Sequence, residues 1–469
     1  MGIGRRAALG VLGGGLLATT LLRSGRTRLQ PGLVELAFDA APGIGTVLGR
    51  RVPMWLYGGR FPGPLLELAE GQTLRLHFSN RLPQPTNLHF HGMHIPPTGR
   101  ADNVYIQIPP GERFTYEFTP GPGTAGTYWY HPHCHELVAR QMWFGLAGPI
   151  VVRGPLDAMP ELAAADERLV LLRDVALEGE GLAAFTVGDW HKGKEGPHLL
   201  ANGEYEPEWR MRSGTARLRL VNVANARHLR LALSDRRPMF LIALDGQFLE
   251  RPVDLEELLL APAQRAEILV PFEDGRPIEL LAPHYNRGAP TPRLRNRFVL
   301  RMRPPPGASP LPLPRRLATL PGLDPAAARV VRRIDLSMFL VNGRRYRYER
   351  VDIRGRLGDL ERWRVRNLGT MDHPFHLHTW PFQIHRRNGR APAFRAWRDT
   401  VALRPGEEVE LLVPFRDFAG RTLFHCHIAE HADRGMMGTI EILPDGGYLD
   451  PPPPPICFAP RGDLVPRLP

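Results

Sequence analysis

The sequence predicts an all-β protein built from three consecutive Greek-key β-sandwich domains. Three observations carry this. A short alternating segment recurs three times and stops each time at an asparagine: "LRLHFSN" ending at Asn80, "LRLVN" at Asn222 and "WRVRN" at Asn367. A turn-plus-strand segment also recurs three times, as "PPGERFTYEF" from Pro109, "APAQRAEILVPF" from Ala261 and "RPGEEVELLVPF" from Arg404. The two trios keep similar offsets, near one domain length. Finally, the chain carries 48 Gly and 49 Pro among short alternating runs, with little helical periodicity, the pattern of sandwiches.

The elements follow in order. "MGIGRRAALGVLGGGLLATTLLRSGR", residues 1–26, places Arg5 and Arg6 before an apolar run from Ala7 to Leu22. This is the layout of an export signal of the twin-arginine type. A lone membrane anchor is the alternative, and the shortness and glycine content of the run disfavour it. The expected destination is the periplasm or exterior, without stable membrane insertion. The first domain is expected over 27–155, closing near "VVRGP". The second is expected over 156–305, ending as "RPPPGASPLPLPRR" begins, and the third over 306–445. Residues 446–469 form a proline-rich tail. In each repeat the alternation is that of a half-buried strand, which Asn commonly closes.

Charge excludes one class. The formal net charge is +12, but the excess is arginine; Lys192 and Lys194 are the two lysines, and the arginines are scattered rather than clustered. Nucleic-acid binding is therefore not expected. Three cysteines are too few for a disulfide framework.

The histidines carry the function. Of 18, ten fall in four clusters: His89 and His91 in "HFHG", His131 and His133 in "WYHPHCH", His373, His376 and His378 in "HPFHLH", and His425, His427 and His431 in "HCHIAEH". Residues i and i+2 of a strand share a face, so each H-x-H aims two imidazoles together. Between His425 and His427 stands Cys426, which must face the other way. One strand then serves two sites. Cys426, His373 and His431, with Met436 as weak axial ligand, make the His2Cys-Met set of a blue-copper electron-transfer site. The other eight histidines form the pairs 89/91, 131/133, 376/378 and 425/427, expected to meet between the first and third domains. The remaining histidines are read as structural.

In these residues the chain resembles the three-domain multicopper oxidases (laccases, copper-efflux oxidases, bilirubin oxidases and ascorbate oxidase) from about Leu33 to Leu443. The resemblance implies three cupredoxin domains and four copper ions: one type 1, one type 2 and two type 3. By motif position, His373, Cys426, His431 and Met436 match the type 1 ligands. His89 and His376 match type 2; His91, His131, His133, His378, His425 and His427 match the type 3 pair. The middle domain keeps only His228 in "NARHLRL" and is expected to be a copper-free spacer. The implied reaction takes single electrons from a small-molecule donor at the type 1 site. They pass through Cys426, His425 and His427 to dioxygen, giving water. Asp102 matches an acid that the family places near the cluster. A second acid, common in bacterial relatives just after the type 1 histidine, is replaced by Ala432, and the neighbouring Glu430 need not face the cluster.

The donor is expected to be a phenol or aromatic amine, in a monomer. Cuprous oxidation is the alternative, but its methionine-rich insertion is absent from 316–345, where Met338 stands alone. Of its two acidic positions Asp433 matches one, and Gly369 occupies the other. Asp433 could also steer an amine or accept a phenol proton. A non-catalytic exported structural protein of the same fold is the remaining alternative. Cys134 and Cys457 could stay free or pair; a disulfide between the first domain and the tail, as in some fungal laccases, would join them.

Overall fold

The computed structural model describes residues 32–447 and Leu449; the segment read as an export signal, most of the tail and Cys457 lie outside them. Three pairs of sheets follow one another. Within residues 33–153 lie two four-stranded sheets, within 166–303 a seven- and a five-stranded sheet, and within 330–443 a six- and a five-stranded sheet. Each pair encloses its own apolar core. Among the described residues no helix is long and apolar enough to cross a membrane.

The repeat seen in the sequence is a repeat of register. The strands Thr73–Asn80, Thr215–Asn222 and Leu360–Asn367 each pair in parallel with the first long strand of their domain. Each pairs antiparallel on its other side with the strand of the second trio: Arg113–Phe118, Arg265–Pro271 and Glu408–Pro414.

Each closing asparagine does the same work. The Asn80 amide donates to the carbonyls of Gln84 and Ile108 and its oxygen accepts from Leu82 N–H. Asn222 does so with Arg227, Leu260 and Ala224, and Asn367 with Met371, Leu403 and Gly369. A buried amide that satisfies three backbone groups fixes the loop that follows. In the first and third domains that loop delivers the histidine strands His89–His91 and His373–Leu377.

Candidate metal centre

Strand pairing sets the side chains. His89 lies opposite His131 in the first domain. In the third, His376 lies opposite His425 and Phe375 opposite Cys426. Alternation sends His376 and His425 to the seam with the first domain and Cys426 into the third domain's own core. Across the seam His89 stacks on His378 and His91 on His376, each with centroids 3.9 Å apart. All eight seam imidazoles are buried.

They sort into three groups. His133, His378 and His425 hold ligand nitrogens within 4.8 Å of one another; His425 Nε2 is 3.2 Å from His133 Nε2 and 3.0 Å from His378 Nε2. His91, His131 and His427 form a second trio, with ring centroids 4.9 to 5.7 Å apart. His89 and His376 face each other at 5.8 Å.

The residues fit metal ions, because the nitrogens divide between holding and offering. Nδ1 of His89 meets Asp102 at 2.9 and 3.0 Å. Nδ1 of His131, His376 and His425 each lies 2.9 Å from a backbone carbonyl, of Pro132, Asp399 and Cys426. The opposite nitrogens of His89, His131 and His376, with Nδ1 of His91 and His378 and both nitrogens of His427, are buried without hydrogen-bond partners. Unpaired buried polar atoms are rare, and so many within one histidine cluster fit bound metal ions. Burial first, and neighbouring imidazoles after it, hold His89, His91, His133, His378, His425 and His427 well below the ordinary histidine range. Burial likewise takes His131 to about 3. The rings are neutral, as metal ligands must be.

Behind this cluster, Cys426 Sγ lies 3.6 Å from His373 Nδ1 and 3.8 Å from His431 Nδ1. A metal about 2.0 Å from each nitrogen and about 2.3 Å from sulfur, with ligands about 120° apart, would put sulfur about 3.7 Å from each nitrogen. Met436 is fully buried in the same core, and its carbonyl accepts from Cys426 N–H at 3.0 Å. Burial pushes the thiol up to about 12, while the Ile428 N–H 3.5 Å from Sγ pulls it down. A thiolate there needs a cation. His431 Nε2 bonds the His191 carbonyl at 2.8 Å.

The acids fall in unequal places. Asp102 is buried against His89 and accepts from Phe90 N–H at 2.8 Å; burial raises its carboxyl to about 8. Asp433 is engaged across the seam. Its carboxylate is buried and accepts from Val138 and Ala139 N–H at 3.2 and 2.7 Å, capping the helix Val138–Trp143 across the seam. Glu430 is fully buried, bonded to Asn225 at 2.9 Å, with its second oxygen unpaired; burial raises it to about 7. Cys134 is buried as well, and its expected partner Cys457 is outside the described residues.

The sequence reading missed Asp399. Its Oδ1 lies 3.1 Å from His91 Nε2 and 3.4 Å from His376 Nδ1, so one carboxylate touches imidazoles from both domains. Arg265 of the middle domain grips it through two bonds of 2.9 and 2.6 Å. The signal available was an acid in the strand-like run "AWRDTVAL". The middle domain is therefore more than a spacer: Arg265, Asn225 and the His191 carbonyl all reach the two sites. Its His228 is buried, stacked on Tyr285 at 5.9 Å, and belongs to none of the metal groupings among the described residues.

Family models described as multicopper oxidase match residues 43–157, 184–278 and 317–446. The multicopper oxidase mco of Staphylococcus aureus is 28% identical over 394 residues, 82% of this chain and 83% of that protein. The cell division protein FtsP of Escherichia coli K12 is 31% identical over 420 residues, 84% and 87% respectively. The solved multicopper oxidase of Campylobacter jejuni, described as a metallo-oxidase, superposes with a TM-score of 0.80 at 29% identity, covering 90% of this chain and 93% of that one. With matches across all three domains, and with histidine groups that could hold metal ions, the chain belongs to the multicopper oxidase family.

Proposed function

We infer that this protein is a laccase-like oxidase. It takes one electron from each of four phenol or aromatic amine molecules and reduces dioxygen to two waters. For a phenol the balance is four ArOH and one O2 giving four ArO• and two H2O. The observation that carries this is the position of Cys426: its sulfur faces His373 and His431 while its two sequence neighbours face the seam cluster.

Four copper ions are assigned, with His373, Cys426, His431 and Met436 holding type 1, His89 and His376 type 2, and the two imidazole trios the type 3 pair. Copper supplies the one-electron redox chemistry and the site of oxygen reduction. The protein supplies the connection. His425 Nδ1–H donates to the Cys426 carbonyl at 2.9 Å, shortening the path from sulfur to seam. Asp102 fixes His89 so that Nε2 faces the cluster, and its raised pKa suits proton delivery there. His431 Nε2 bonds the His191 carbonyl at 2.8 Å, so a donor held beside His191 would lie next to a type 1 ligand while the seam imidazoles stay buried.

The complete, buried ligand set argues against a non-catalytic role, although FtsP is a relative. Cuprous oxidation is disfavoured at Gly369. A Cβ there would lie 2.7 Å from His373 Nε2, so an acidic side chain could enter only by displacing a ligand. Export to the periplasm and a monomeric state complete the reading. The test is oxygen uptake by the copper-loaded protein with a phenol and with cuprous ion in parallel. Faster uptake with the phenol supports the reading. Uptake with cuprous ion alone replaces it, and no uptake with either favours the structural class.

A further inference from the structure

The outer face of the Cys426 site is basic and aromatic. The segment 339–350 runs beside it, turning at Asn342 and Gly343, both at positive φ. It then alternates. Tyr346 and Tyr348 pack inward on Val104, Tyr105 and Met437, while Arg344, Arg345 and Arg347 are exposed. Tyr346 N–H donates to the Gly435 carbonyl at 2.9 Å, which sets Arg345 against Gly435. The preceding residue, Arg434, lays its guanidinium 4.6 Å from the centre of the Phe339 ring. Phe339 in turn lies edge-on to His431 at 5.6 Å and to His191 at 5.5 Å. Arg345, Arg434, Phe339 and His431 thus form a continuous path from solvent to a metal-ligating imidazole.

Arg344, Arg345 and Arg347 sit close together in the chain and carry little acid with them. In the same loop Arg350 pairs with Asp352 at 2.6 Å, but among the described residues Arg344, Arg345, Arg347 and Arg434 meet no carboxylate. Arg434 Nε is buried without a hydrogen-bond partner. Burial, then the neighbouring charge of Arg345, lowers the Arg434 guanidinium. Beside them Arg344, Arg345, Arg347, Arg350 and the single acid Glu349 line a depression of about 590 Å³. Several guanidiniums lining one depression, with Arg434 on the nearby Phe339 ring, suit an anionic group attached to a ring.

We propose that this rim docks the negative group of an anionic aromatic donor, a phenol or aromatic amine bearing a carboxylate or sulfonate, and holds its ring at the Phe339–His191 edge. The assignment rests on the oxidase reading above. It also explains why a cuprous cation would be repelled from this face.

The test uses three donors with one phenol ring, differing only at the end of a saturated tether: carboxylate, amide or quaternary ammonium. On the copper-loaded protein at low salt, the carboxylate donor should have a KM about tenfold below the amide's, the difference lying in KM rather than kcat and closing at high salt. The ammonium donor should have the highest KM. In the Arg345→Glu/Arg347→Glu variant the carboxylate-to-amide KM ratio should rise above one. Equal KM values for all three donors would overturn the docking site and leave the oxidase intact. Should none of the three be oxidised, the oxidase reading falls, and equilibrium dialysis with the methyl ether of the carboxylate donor decides the site. Retention lost in the double variant upholds it; no retention overturns it.

Discussion

Replacing Arg265 by methionine should loosen the seam cluster, although Arg265 hydrogen-bonds none of its imidazoles. The side chain is buried and makes two charge-assisted bonds to Asp399, at 2.9 and 2.6 Å. Its Nε and Nη1 also donate to the Thr127 and Ala263 carbonyls at 3.2 and 3.3 Å. Removing one partner of a buried pair costs about 3–5 kcal/mol, because the other charge stays buried. At roughly 2–4 °C per kcal/mol for a domain of this size, melting should fall by about 10 °C. Freed from its clamp, the Asp399 carboxylate no longer holds His91 Nε2, and losing such an orienting group weakens metal retention roughly 10- to 100-fold. The assays are calorimetry and copper content after dialysis against a graded chelator. The double variant Arg265→Met/Asp399→Leu separates the effects: it should recover most of the melting temperature, since neither charge remains, but not the copper. An Arg265→Met protein that melts normally and keeps its copper would refute the reasoning.

Cys426→Ser should abolish the intense visible absorption of thiolate-bound cupric ion and the oxygen uptake while atomic absorption still finds about three coppers per chain. Gly369→Ala should shift the same absorption band without loss of fold, because the new Cβ would meet His373 Nε2 at 2.7 Å; an unchanged spectrum would count against that contact. Asn367→Ala should cost about 2–4 kcal/mol in denaturant unfolding, from three backbone groups left unpaired. Asp245 gives a pH signature. Burial and then the Asp399 charge raise it to about 7, so between roughly pH 4 and 7 the folded state binds the proton that the unfolded state has lost. Its contribution to stability therefore falls as pH rises through that window. Asp245→Asn should flatten this part of the stability–pH curve, measured by urea titration.

What could be read in advance was periodic or clustered. The asparagine-terminated strands lie where the alternation places them, because each Asn closes a strand by a local rule. H-x-H spacing gave the facing of imidazoles, and the cysteine at the middle position gave two sites on one strand. What escaped depends on contacts between domains. Asp399 is one acid in an ordinary strand, and its importance comes from Arg265, 134 residues away. His191 acts through its backbone carbonyl, which no side-chain pattern announces. The bond of Asp433 to the helix Val138–Trp143 of the first domain was likewise not legible, because its partners lie 294 and 295 residues away.

The cluster spans the chain as well as the seam. His133 and His425 are 3.2 Å apart in space and 292 residues apart in sequence. At about 5–20 residues per second of synthesis, the second arrives roughly 15–60 s after the first. Throughout that interval the first domain presents four converging imidazoles as an open half-chelate, able to trap any passing divalent ion. Correct loading is therefore a matter of timing: copper has a complete cage only after the last domain has been made and has closed against the first. A cell that metallates this protein gains by withholding the metal until then.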